Sequence, residues 1–175
     1  VFIEKLLSEF ALKKEQMCYL DIGAFHPIIY SNTFKLHKKG WKGISVDLSE
    51  ETEKAFENIR PGARFLRIPI GGNTCLLQAS VSKKGMSELN SLSPDIGDYI
   101  KNFDSDFVQK QVEVVGIKDF FIENNIEASE ITFLNIDIEG LDSEVLANYP
   151  FDLSKPLVIA TESYQGSIEQ HLSSS

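Results

Sequence analysis

A chain of 175 residues is the size of one domain and is long enough to bury a single full core. With 42% hydrophobic and 25% charged residues it has the composition of an ordinary globular protein, and no apolar run reaches the length needed to span a bilayer. A formal net charge of −9 argues against a nucleic-acid partner, since such binding rests on Lys and Arg neutralising phosphates, and favours small neutral or cationic ligands.

The sequence opens at Val1 without a methionine or a signal-peptide pattern, which reads as part of a longer or trimmed chain. Phe2, Ile3, Leu6, Leu7 and Phe10 then recur at helical spacing, predicting an amphipathic helix laid on a sheet. Residues 17–22 form a first apolar strand. It runs into Asp21-Ile22-Gly23-Ala24-Phe25-His26-Pro27, where a glycine lets the chain turn sharply at the edge of the sheet. Ser31 or Asn32 can cap a helix that continues to Lys39 and is stopped by Gly40. A second strand covers 41–47, with Trp41 packing the preceding helix onto it, and Ser49 caps the next helix, to about Asn58.

After the Pro61-Gly62 turn, 63–70 reads as a third strand ended by Gly71-Gly72, and 75–81 as a further one. Cys18 and Cys75 lie in apolar stretches without C-x-x-C spacing, so both read as buried reduced thiols of a reducing, cytoplasmic compartment. Residues 82–106 are rich in Ser, Asn, Asp and Gly, with a short helix over 96–103; the stretch reads equally as a lid and as disorder. A short strand over 111–116, a helix over 117–125 with Phe120 and Phe121 inward, a strand over 131–137, a helix over 143–148, a strand over 156–162 and a helical tail complete the chain. Strand and helix alternate, which predicts an α/β fold, a mostly parallel sheet with helices on both faces.

Asp21, Asp47, Asp137 and Glu162 each lie at or near the carboxyl end of an apolar strand, so right-handed crossovers would bring all four to one edge of the sheet. Asp47 lies 24 residues beyond Gly23, near the roughly 20-residue spacing of a ribose-binding acid. A dinucleotide fingerprint is missing, because Phe25 and Ile28 stand where its later glycines would fall, and there is no P-loop. A nucleoside without phosphates fits this loop better. S-adenosylmethionine is such a ligand, and Asp21 could hold its ammonium directly or through water.

With those residues in place, the sequence resembles the FkbM-type family of S-adenosylmethionine-dependent methyltransferases. The matching pieces are the Asp21 to Pro27 loop, Ser31-Asn32-Thr33, Gly40-Trp41-Lys42-Gly43-Ile44 leading to Asp47, Asn135-Ile136-Asp137-Ile138-Glu139-Gly140, and the strand ending in Glu162. The resemblance implies a class I, Rossmann-like methyltransferase fold and methyl transfer to a hydroxyl of a small molecule, with acceptors that include sugars of glycolipids or polysaccharides and polyketide alcohols. It implies that Asp21, Gly23, Ala24 and Phe25 form the methionine-side loop, that Asp47 holds the ribose, and that Asn32 and Asp137 sit beside cofactor and acceptor. The family pattern continues with a closing pair of strands, whereas this sequence stops at Ser175; the fold expected here lacks them. Its last strand would then be an edge open to pairing with a second copy.

The acceptor hydroxyl must lose its proton during or after attack, and the candidate proton acceptors are Asp137, Glu139 and His26. Each has a plainer alternative: a helix cap for Asp137, a turn acid for Glu139, a loop-bonding ring for His26. Asp137, Glu139 and Glu162 could also gather a divalent cation, but no His or third firmly placed acid supports a metal site. A non-catalytic module that binds a ligand or partner through the same fold is the alternative to an enzyme, and a nucleotide-sugar or NAD enzyme is disfavoured by Phe25 and Ile28.

Overall fold

The structure, a computed structural model, describes residues 2–83, 106–138 and 140–162. In chain order it contains α1 (Phe2–Ser8), β1 (Cys18–Ile22), α2 (Phe34–Lys38), β2 (Lys42–Asp47), α3 (Glu50–Ile59), β3 (Arg64–Arg67), β4 (Ile70–Gly71) and β5 (Cys75–Ser82). The chain continues with β6 (Phe107–Gly116), α4 (Ile117–Glu123), β7 (Phe133–Ile136), α5 (Asp142–Asn148) and β8 (Val158–Thr161). Five strands form a wholly parallel sheet in the order β3-β2-β1-β7-β8. The order reverses direction at β1, and ligands of open α/β sheets bind outside the strand ends at such a switch point.

Period-two alternation sorts the strand residues between two faces of this sheet. On one, Leu20, Ile22, Ile44, Val46, Leu134 and Ile136 pack against Phe120 and Phe121 of α4 and Val145 and Leu146 of α5. Full burial of such a side chain stabilises the fold by about 1.5–3 kcal/mol, so this face supplies much of the core. On the other, Tyr19 and Phe133 meet Leu7 of α1, Leu36 of α2, and Trp41. Tyr19 is paired in register with Gly43, and a Cβ at Gly43 would stand 1.8 Å from the Tyr19 ring. A glycine is required there because the ring lies across the backbone.

The helix ends follow local chemistry. Ser49 Oγ accepts the Thr52 N–H at 3.3 Å, and Glu50, Glu51 and Glu53 sit in the first turn of α3, where the helix dipole favours negative charge. Before α2, the Ser31 hydroxyl accepts the N–H groups of Thr33 and Phe34.

Several expectations are corrected. The strand expected over 63–70 is two: β3 ends at Arg67, and β4 leaves to pair in parallel with β6. Pro69 lies at the break, has no N–H for a ladder, and its carbonyl accepts from Val115. The strand expected over 111–116 begins at Phe107, because its first half pairs antiparallel with β5. Cys75, expected to be buried, is exposed, since it starts β5 at the edge of a three-stranded sheet; Cys18 is buried, and both are free thiols. The first helix stops at Ser8 and leaves Phe10 exposed. Residues 84–105 of the lid-like stretch, with its helix over 96–103, Glu139 and the C-terminal tail lie outside the described residues, while Ser82 closes β5. Among the described residues no helix is long and apolar enough to cross a membrane.

Candidate functional site

Where the sheet changes direction, a polar row crosses its three central strands. Asp21 on β1 lies in register between Ser45 on β2 and Asn135 on β7, and all three are buried. Asp21 Oδ1 accepts from Asn135 Nδ2 at 2.8 Å and Oδ2 from the Thr33 hydroxyl at 2.5 Å. Asn135 Oδ1 in turn accepts from Asn32 Nδ2 at 2.9 Å. Burial pushes the Asp21 carboxyl above the ordinary carboxylate range, opposed by the bonds from Thr33 and Asn135 and by the Arg60 charge. Asp21 is therefore turned into the protein, with both oxygens engaged.

The loop leaving β1 is shaped by backbone contacts. Gly23 has φ +80°, and a Cβ there would stand 1.7 Å from the Asp137 carbonyl oxygen, so any side chain would push the β1 and β7 ends apart. The N–H groups of Gly23 and Ala24 both donate to the Val46 carbonyl. Phe25 donates its N–H to Asp47 Oδ2 at 3.1 Å, while its carbonyl accepts the Thr52 hydroxyl at 2.9 Å. Asp47 Oδ1 accepts from the Ser49 N–H at 2.8 Å. Burial raises the Asp47 pKa, and N–H bonds from Ser49, Phe25 and Leu48 oppose the rise. A carboxylate offers roughly four lone-pair sites, so Asp47 keeps acceptor capacity. Its neighbours Leu48 and Ser49 line a cavity of about 420 Å³, together with Pro69, Arg67, Lys110 and Val112.

His26 Nδ1 accepts the N–H groups of Ile28 and Ile29, each at 3.0 Å. A neutral imidazole with that nitrogen accepting carries its hydrogen on Nε2, which is then a donor. The tip that follows presents Ile28, Ile29 and Tyr30 to solvent, with Tyr30 at 82% exposure.

Across from this loop, the Asp137 N–H donates to the Ile22 carbonyl at 2.9 Å. Burial, then the nearby charges of Glu162, Asp142 and Asp21, push the Asp137 carboxyl up to about 6. The acid that accepts from the turn before α5 is Asp142, whose oxygens take the N–H groups of Ile138 at 3.4 Å and Gly140 at 3.2 Å. Glu162 is exposed after β8. Among the described residues, no group of three or more His, Cys, Asp or Glu side chains is placed to hold a metal ion.

Of the residues singled out in the sequence, Asp21, Gly23 and Asp137 meet at the adjoining ends of β1 and β7, Phe25 is bonded to Asp47, and Asn32 reaches the same polar row through Asn135. His26 is occupied within its own loop. Sequence reasoning gave no role to Thr33, Asn135, Arg60 or Asp142. Asn135 had a legible signal, a polar residue inside the β-prone run 131–137; Arg60, beside a Pro-Gly turn, had none.

A parallel sheet with this order, a glycine turn after β1, an acid at the end of β2 and another just after β7 together define a Rossmann-like methyltransferase fold. A family model described as the Methyltransferase FkbM domain matches residues 21–173, most of the chain. The chain belongs to the FkbM methyltransferase family. No curated protein and no solved structure gives a significant match.

Proposed function

We propose that this chain transfers a methyl group from S-adenosylmethionine to a hydroxyl oxygen of a small molecule, a sugar of a glycolipid or polysaccharide, or a polyketide alcohol. The observation that carries this reading is Asp47, a half-buried carboxylate at the end of β2 that accepts backbone N–H groups and whose neighbours Leu48 and Ser49 line a cavity. The acceptor capacity left after those bonds suits a hydroxyl of a ribose. Gly23, Ala24 and Phe25 form the wall for the methionine portion, and Asp21 acts through Thr33 and Asn135 to hold that wall. Asn32 lies on the same network, toward the acceptor.

When bound, S-adenosylmethionine supplies a methyl group on a positively charged sulfur. Transfer of that methyl to an acceptor hydroxyl would release the acceptor's proton, which a base of this chain has to take. Asp137 is assigned that role. With a carboxyl titrating at about 6 it is mostly ionised at neutral pH yet a better proton acceptor than an ordinary carboxylate. His26, whose accepting nitrogen is occupied, is assigned to shaping the loop, and Glu139, two positions further along the sequence, is the second candidate proton acceptor.

Isothermal calorimetry with S-adenosylmethionine and with S-adenosylhomocysteine tests the reading. Both should bind, and Asp47→Ala should weaken them by about 10-fold or more while the far-UV spectrum is unchanged. A folded chain that binds neither would instead favour a non-catalytic module.

A further inference from the structure

Arg60, immediately after α3, is among the largest fully buried side chains, at 1% exposure. Its guanidinium lies between two rings, 4.9 Å from the centre of Phe56 and 5.5 Å from that of Phe34. Nε donates to the Pro27 carbonyl at 2.9 Å, and Nη2 donates to the same carbonyl and to the Ser31 hydroxyl at 2.7 Å. Nη1 donates to Thr33 Oγ1 at 3.1 Å and to the Tyr19 hydroxyl at 3.3 Å. Thr33 passes its own hydrogen on to Asp21. Three of the four acceptors thus belong to residues 27–33, and the Asp21 carboxyl, which feels the Arg60 charge, is reached through one of them.

A buried guanidinium is a poor source of net stability, because desolvation costs about as much as its partners return, and an apolar side chain of similar size would pack as well between two phenylalanines. What an apolar side chain could not do is bond the loop at several points in a fixed plane. We infer that Arg60 is a positioning residue: it holds residues 27–33, and through Thr33 the Asp21 carboxylate, in the cofactor-binding arrangement before any ligand arrives. This inference rests on the methyltransferase reading above. The ordering of the loop is then met during folding and does not subtract from ligand affinity.

The test is Arg60→Lys, which keeps the charge but loses the planar fork, with two readouts: affinity for S-adenosylhomocysteine by calorimetry, and amide hydrogen exchange. The dissociation constant should rise about 10-fold or more, in line with a loss of preorganisation. Exchange should accelerate at Ile28 and Ile29, whose N–H groups bond to His26 within this turn, and stay unchanged at Leu134 and Ile136 in β7. Unchanged affinity, or acceleration in β7 as large as in the loop, would mark Arg60 as purely structural and overturn the inference. If the wild-type chain binds no S-adenosylhomocysteine, the cofactor reading falls and the exchange pattern alone decides for or against Arg60. Should Arg60→Lys not fold, Thr33→Val, which removes the relay hydroxyl, carries the same comparison.

Discussion

Along β1, Leu20 and Ile22 enter a dry apolar cluster with α4 and α5, whereas Tyr19 and Asp21 between them face α2, Thr33 and Arg60. The same alternation holds on β7, where Leu134 and Ile136 join the apolar cluster and Asn135 joins the polar row. Burial is as complete on the second face as on the first, yet there each polar contact has to be met by a specific partner. The apolar cluster can relax around a lesion; the polar row on the second face, beside the smaller cluster of Tyr19, Phe133, Leu36 and Trp41, has two sharply different states, bonded or unbonded. Damage to the first should appear as lost stability, and damage to the second mainly as lost ligand affinity and turnover.

The largest stability effect is expected on the apolar face. Phe120→Ala removes a side chain with 0% exposure and should cost about 3–5 kcal/mol in urea unfolding, with little change in ligand affinity per folded molecule. A loss of affinity as large as that from Asp47→Ala would break the distinction between the faces.

Asp137 sharpens it from the opposite side. Asp137→Asn should lower turnover by about 100-fold or more if the carboxylate takes the acceptor proton, and the wild-type rate should fall as pH drops below about 6. Stability should move the other way. A carboxyl whose folded pKa of about 6 exceeds its ordinary value of 3.8 binds its proton more tightly in the folded chain, so its contribution is greatest at low pH and is lost between about pH 4 and pH 6. The Asn variant should therefore melt higher than wild type at pH 7.5, and the two should converge below pH 4; a lower melting temperature at pH 7.5 would contradict the penalty from burial and from the charges of Glu162, Asp142 and Asp21.

The smallest effect is expected outside both faces. Ile122 on α4 is 75% exposed, and Ile122→Lys should change stability by no more than about 0.5 kcal/mol. A larger loss in thermal unfolding would show that the apolar face extends beyond the inner side of α4.

Much of the fold was legible because its signals are local. The alternation of strand and helix, the Ser49 cap and the glycine turn after β1 each depend on a few neighbouring residues. The strand-end positions of Asp21, Asp47 and Asp137 could likewise be read, since each acid closes an apolar run. The split at Pro69 and the early start of β6 could not be read so easily, because both follow from pairing with strands distant in sequence.

What the sequence determined by itself was the family, the parallel sheet and the acids near the ends of its strands. Only the tertiary structure decided what those acids touch. Asp21 meets Asn135 across 114 positions, Asn32 meets Asn135 across 103, and Arg60 meets Pro27 across 33. A side-chain hydrogen bond needs its partner within about 3 Å and in the right direction, and no periodicity or cap encodes that for residues so far apart in the chain. The inward turn of Asp21, the backbone bonds of Asp47 and the buried position of Arg60 follow from how strands and loops meet in space.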